Sequence, residues 1–513
     1  MIFERIGKMA WLTAPMVAFL ITAPLKHVNG AGDQKVRAAA VAGTFYPADS
    51  KDLSAMVDDM LQKATPPSPG GQIIAAVAPH AGYPYSGPVA AYTYASLKGH
   101  KYSRVVVIAP SHFVAFDFTS VFEGDAYETP LGSVPIDKEF ARRLAKMSPT
   151  IQVSYAGHTP TSAGGEHAVE DQLPWLQKVL GNFKLVPIVM GDQSYENSRA
   201  LGIALQKLIS SENDPGETLV IASSDLSHYH TYEQAETIDH KTLHALSVWD
   251  YLSMSRNFGS RIWEACGGAP IVAAMMYAER MGANKAEVLK YANSGDTSGD
   301  HSRVVGYSAD LFVKAASTAV DEVPFSLTSA EKSALLALAR QSTEYAVKEG
   351  KLLDAPATTD ETLNREAGAF VTLTKAGALR GCIGYTSPIK PLYLTVRDTA
   401  AYAALRDPRF HPVSESELPE LAYEISVLSP MRRVTDVDQI TVGRDGLLMK
   451  NGDSEGLLLP QVPVEQKWDR QTFLEQTCVK AGMNPVCWKD ENTDIFKFSA
   501  VVFNEHDLNG HDK

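Results

Sequence analysis

Four apolar runs in the chain end in groups that could do chemistry. "IIAAVAPH" ends in His80, "RVVVIAPSH" in Ser111 and His112, "LVPIVMGD" in Asp192, and "TLVIASSDLSHYH" in Asp225, His228 and His230. Neutral imidazoles with a carboxylate suit Fe(II), Zn(II), Cu(II) or Ni(II), and two histidines with one anionic ligand form the facial pattern of non-haem iron sites. The anion could be Asp225 or the thiolate of Cys266 in "EACGGAP", where two glycines let backbone or substrate approach closely. A buried inert thiol is the competing reading of Cys266. Asp225 and His228 stand three apart and share a face if the segment begins a helix. A carboxylate beside an imidazole fixes its tautomer and raises its basicity, which suits a general base. "GGEHAVEDQLPWL" holds a second such pair, His167 and Glu170, at an expected helix start. Surface capping and pairing is the rival account there, so this pair ranks below the first. Tyr83 and Tyr85 in "HAGYPYSG" are candidates to wall the pocket around His80, and His301 in "SGDHS" belongs to a polar loop near it.

A single histidine after a strand is usually a satisfied turn residue. Several at one sheet edge are not so easily dismissed, and this is what the surrounding elements predict. From residue 36 to 315, strands expected at 73–78, 104–109, 185–190, 218–223 and 303–313 alternate with helical patterns. Continuous apolar runs mark strands buried on both faces of a largely parallel sheet. Alternating β and α units imply a layered α/β domain, whose ligands bind beyond the carboxyl ends of its strands. Asp49 is placed to cap a helix through "SKDLSAMVDDMLQKA". Residues 316–327 break the rhythm as a linker. Thr328 and Glu331 then make a capping box for a helix closed by Gly350, opening an α+β second domain over 328–508. In that domain "LRGCIGY" sets Cys382 between glycines, in an expected turn that leaves the sulfur accessible. Cys478 and Cys487 are close enough in sequence to pair if the protein is exported.

At 513 residues, two domains are the natural division. The balance of 47 basic against 60 acidic residues, a formal charge of −13, argues against a nucleic-acid binder. There is no GxSxG elbow, HExxH, GxGxxG in a βαβ setting or CxxC motif, and no phosphate cradle carries a Walker lysine, so no nucleotide cofactor is expected. Residues 1–30 have the layout of a secretory signal: a short basic start, the apolar run "MAWLTAPMVAFLITAPL" and a small-residue stretch. Cleavage would send the protein to the periplasm or outside the cell; without it the chain would stay in the cytoplasm. No other segment is read as spanning a membrane.

"AGTFYPAD", "APHAGYPYSGP", "APSH", "EHAVEDQLPWL" and "SSDLSHYH" together resemble the MEMO family over about 36–315. "LRGCIGY", "YEISVLSP" and "GLLLPQV" resemble the AMMECR family over about 325–508. The two families occur together in the AmmeMemoRadiSam system, which implies a radical SAM protein as a partner. The MEMO resemblance implies an extradiol dioxygenase-like (LigB) fold, with His80 and His112 as metal ligands and Cys266 in place of the dioxygenase glutamate. It further implies His228 as the acid/base histidine with Asp225 beside it, and Fe(II) or copper, with zinc as a further option. The expectation is a metal-dependent oxidoreductase acting on a small or peptide-borne substrate. The alternatives are a metal- or peptide-binding module without turnover, and an accessory to the radical SAM enzyme.

Overall fold

The computed structural model describes residues 35–159, 165–212, 215–316, 326–355 and 357–508. The expected export signal and most of the expected linker lie outside the described residues. The strands of the first part are β1 (Val36–Arg37), β2 (Gly71–Ala78), β3 (Arg104–Pro110), β4 (Thr119–Val121), β5 (Ala126–Thr129) and β6 (Gly132–Pro135). They continue with β7 (Ile151–Val153), β8 (Lys184–Met190), β9 (Thr218–Ser223), β10 (His228–His230), β11 (Lys285–Asn293) and β12 (Val304–Ala315). Among the described residues, nine of these make one sheet in the order β10-β12-β2-β9-β3-β8-β4-β7, with β11 on β12. The centre, β2-β9-β3-β8, is parallel throughout. Each of the five expected strands is present. The parallel strands end in register, Ala78 beside Ser223 and Pro110 beside Met190, so the segments after them leave from one edge.

Side chains divide across this sheet into two cores with the twofold strand period, shifted by one residue in β2 by a bulge at Ile74. Ile73, Ala76, Val105, Val107 and Ile221 face one way, onto the helices Ser50–Lys63, Tyr83–Ser96 and Leu173–Leu180. Ile74, Val77, Val106, Ile108 and Val220 face the other, onto Tyr195–Ser210 and Gly268–Arg280. This is a three-layer α/β domain. Asp49 caps the first helix through the amides of Lys51 and Asp52, as its position in the sequence predicts.

The second domain opens with the helix Ser329–Glu349, closed between the Thr328–Glu331 capping box and left-handed Gly350. Its strands are β13 (Ala369–Lys375), β14 (Ala378–Tyr385), β15 (Leu421–Leu428), β16 (Arg432–Arg433), β17 (Asp445–Asn451), β18 (Ser454–Leu458) and β19 (Asp494–Asn504). They form an antiparallel sheet in the order β14-β13-β15-β19-β17-β18, with β16 on β19. The β13–β14 turn uses Ala376 and Gly377, both at positive φ, the primed form that matches strand twist. Cys478 and Cys487 are joined as a disulfide.

The two domains share a core. Leu428, Met431, Leu448, Phe496 and Phe498 belong to the same buried cluster as the helix Gly268–Arg280. Asp494 is 3% exposed and accepts hydrogen bonds from Tyr195, Arg199 and Arg280. Arg433 pairs with Glu279 at 2.7 Å, and Lys241 with Glu366 at 2.8 Å.

Candidate functional site

Beyond the sheet edge, His80, His112 and His167 each offer one ring nitrogen, and all three atoms lie within 4.8 Å of one another. Cys266 joins them, its Sγ 3.1 Å from His80 Nε2. His80 follows β2, His112 follows β3, His167 precedes the helix Leu173–Leu180, and Cys266 precedes the helix Gly268–Arg280. Gly267 lets the cysteine come this close, because a Cβ there would stand 2.3 Å from the Ser223 carbonyl at the end of β9.

The tautomer of His80 follows from its neighbours. Gln172 Nε2 lies 3.0 Å from the Pro79 carbonyl, which can only accept, so this amide nitrogen also donates to Ser223 Oγ at 2.8 Å. Ser223 gives its one proton to the Ala168 carbonyl at 2.6 Å. Its remaining lone pair therefore accepts from His80 Nδ1–H at 2.8 Å, leaving Nε2 unprotonated toward Cys266.

His112 is held the same way by a carboxylate. Its Nδ1–H donates to Glu166 Oε1 at 2.9 Å and its amide to Oε2 at 2.6 Å. Glu166 also receives the amides of His167 and Ala168. Burial opposes its charge, but the hydrogen bonds and charge of His112 outweigh this and hold it down to about 2. For His112, burial works against the imidazolium, while hydrogen bonds to Cys266 and Glu166 push its pKa up to about 10. Burial raises the Cys266 thiol, yet the charge His80 carries once Nε2 is protonated, with hydrogen bonds from His112 and from that Nε2–H, brings it down to about 7. His167 is driven down to about 3 by burial and then by the charges of His80 and His112. A depressed thiol facing an unprotonated Nε2 needs a cation between them, either a proton or a metal. Two imidazoles tied back through their second nitrogens, with a thiolate between them, fit Fe(II), copper or zinc.

The other expected residues fall into place differently. Asp225 and His228 do not share a helix, because the chain is extended there and enters β10. The Asp225 carboxylate accepts from the His80 and Ala81 amides, while His228 Nδ1–H donates to the Leu226 carbonyl at 2.8 Å. His228 is therefore oriented by backbone rather than by Asp225. Glu170 faces away from His167 into a fully buried pair with Arg37, and also bonds Tyr46 and the amides of Ala40 and Val41. Its role is to pin the start of the domain. Tyr83 is core, packed on Trp175 with its hydroxyl on the Asp171 carbonyl, and Tyr85 stands 48% exposed. The rings beside His167 are instead Phe45 at 4.6 Å and Phe113 at 6.2 Å. Asp192 is engaged by Ser194, and His301 stacks on Tyr232. Cys382 lies within β14, not in a turn, and burial raises its thiol pKa, so it is not an activated nucleophile. The glycines beside it serve close packing: a Cβ on Gly381 would meet the Ala403 carbonyl at 2.1 Å, and one on Gly384 the Phe370 ring at 2.2 Å. Glu166, Ser223 and Gln172 carry no local signal, since the partners that tie them to the site lie 51 to 143 residues away in the chain.

The fold and this His/Cys cluster define an α/β protein with its site at the carboxyl edge of a parallel sheet, joined to an α+β domain. A family model for Memo-like proteins matches residues 37–311 and one for AMMECR1 matches 336–503, and the chain belongs to the Memo-like family with an AMMECR1 domain following. A MEMO1 family protein of Methanopyrus kandleri is 36% identical over 285 residues, covering 54% of this chain and 98% of its own. A protein of Thermococcus kodakarensis is 46% identical over 181 residues, covering 33% of this chain and 88% of its own. The crystal structure of an uncharacterized protein from Pyrococcus horikoshii shares 45% identity over 33% of this chain and 89% of its own, with a TM-score of 0.33.

Proposed function

We propose that the first domain is a metal-dependent redox protein acting on a small or peptide-borne substrate. The observation that carries this reading is the meeting of His80 Nε2 and Cys266 Sγ at 3.1 Å, with the second nitrogens of His80 and His112 already committed. His80, His112 and Cys266 would hold the metal, and His167, neutral and adjacent, offers a fourth donor. Bound Fe(II) or copper would supply one-electron chemistry and a Lewis-acidic docking point. Glu166 keeps the His112 ring aimed, and Ser223 does the same for His80. His228, with Nδ1–H engaged, has Nε2 left to hold or accept a proton at the substrate. The thiolate ligand separates this site from a two-histidine, one-carboxylate dioxygenase and shifts its preference toward softer metals. The AMMECR1 domain contributes substrate binding rather than a second nucleophile.

Anaerobic loading with Fe(II) or Cu(I), followed by metal analysis of the full chain, tests the reading. One metal per chain is expected in wild type, and its loss in both His80→Ala and Cys266→Ala. Unchanged stoichiometry in the two variants would overturn it. Loaded protein that takes up no oxygen with any catechol or thiol would leave a metal-binding module without turnover.

A further inference from the structure

Between the candidate ligand Cys266 and the candidate proton carrier His228 stands a carboxylate that neither role uses. Glu264 lies two residues before Cys266, on the loop that enters the helix Gly268–Arg280. Its Oε1 is 2.9 Å from His230 Nε2, and because a carboxylate can only accept, that ring nitrogen carries the proton. Its Oε2 accepts from the His228 amide at 3.4 Å. One side chain of the Cys266 loop therefore grips β10 at both ends. The backbone it grips is strained. Tyr229, between the two histidines, has φ +64°, a left-handed conformation that an aromatic residue rarely adopts, and the ladder to β12 slips between His228 and His230. Such strain persists only where the surroundings fix it. Here the Arg303 guanidinium packs 5.0 Å from the centre of the 64% exposed Tyr229 ring, while Glu264 ties the backbone on either side.

The same two segments also meet at their other ends. The Cys266 amide donates to the Asp225 carbonyl and the Asp225 amide to Cys266 Sγ, both at 3.3 Å. The stretch from Asp225 to His230 and the Cys266 loop thus form a closed circuit, joined through the thiol at one end and through Glu264 at the other. We propose that Glu264 is a positioning residue: by closing this circuit it sets His228 at a fixed place relative to the Cys266 thiolate. The inference rests on the metal reading for what Cys266 and His228 do, but not for the contacts that join them. Glu264 acts through the two segments and not as a ligand. Its side chain is 35% exposed and that of His230 31%, so the pair adds little to global stability. That separates positioning from folding.

Two measurements on the full chain test it: amide hydrogen exchange of the metal-free protein, and competition titration with Zn(II). In Glu264→Ala the His228 amide should exchange about tenfold faster, and so should the Asp225 and Cys266 amides at the far end of the circuit. Zinc affinity should fall about tenfold, the lower end of the effect of partners that orient ligands, with the urea midpoint that of wild type. Glu264→Gln keeps one accepting oxygen and should recover most of both losses. Unchanged exchange at Asp225 and Cys266 in Glu264→Ala would overturn the proposal, because a residue making only its own contacts leaves them alone. Wild-type zinc affinity in that variant would overturn it too, as would a loss accompanied by an equivalent fall in the urea midpoint. If wild type itself binds no zinc, the metal reading fails, and the exchange comparison still decides on Glu264.

Discussion

Glu166 and Glu170 are four residues apart and both buried, yet one orients a candidate ligand and the other anchors the start of the domain. Their amide variants should therefore separate. Glu166→Gln loses the ionised acceptor of His112 Nδ1–H and should weaken metal affinity by about 10- to 100-fold, the usual effect of such a partner, with a modest change in stability. Glu170→Gln leaves Arg37 buried without its counter-charge and should lower stability by about 3–5 kcal/mol, with metal affinity little changed in protein that remains folded. Metal titration and urea unfolding of the two variants would show whether the roles divide this way. The sequence exposed the other half of this site more readily. His80 and His112 are legible because apolar strands run directly into them, and Cys266 because glycines follow it. Glu166 is not, because its meaning comes from His112, 54 residues earlier in the chain. Local spacing drew attention to Glu170 instead.

Elements of the first domain are tied by a buried imidazole that no motif announces. His158 accepts from Tyr127 of β5 at Nδ1, lies 3.3 Å from the Ser120 carbonyl of β4 through Nε2, and offers its own carbonyl to Arg37 of β1. Burial depresses its pKa to about 3, so the folded protein holds it neutral while the unfolded chain protonates it near 6.5. The unfolded state then binds the extra proton between these values. The stability His158 contributes is complete above about pH 6.5 and is lost as pH falls toward 3, with a limiting slope of about 1.4 kcal/mol per pH unit. In His158→Gln, the fall of the urea midpoint between pH 6.5 and 4 should be shallower by about one proton's worth. An identical slope in the two proteins would remove His158 as the cause. Strand positions and helix caps were readable because they depend on neighbours in sequence. The turn assigned around Cys382 failed because glycine marks close packing as well as bends, and only the approach of Ala403 and Phe370 distinguishes the two.

At the scale of the whole molecule, length and the change of pattern near residue 316 announce two domains, but not that their cores merge. Nothing in the period of β19 says that Phe496 and Phe498 will pack with the helix Gly268–Arg280 rather than inside their own sheet. Asp494 anchors that junction, with Arg199 at 2.6 Å and Arg280 at 3.2 Å. Asp494→Ala should leave two largely buried guanidinium groups unpaired and lower the urea midpoint by the equivalent of about 3 kcal/mol, far more than the exposed pair Lys207–Glu491 would if broken. The shared core also changes the law that governs its own formation. Two free chains meeting through this face would obey mass action and separate on dilution. Carried on one polypeptide, the same face meets its partner at an effective concentration of about a millimolar whatever the protein concentration. A contact of only modest intrinsic affinity thus becomes a permanent part of the molecule.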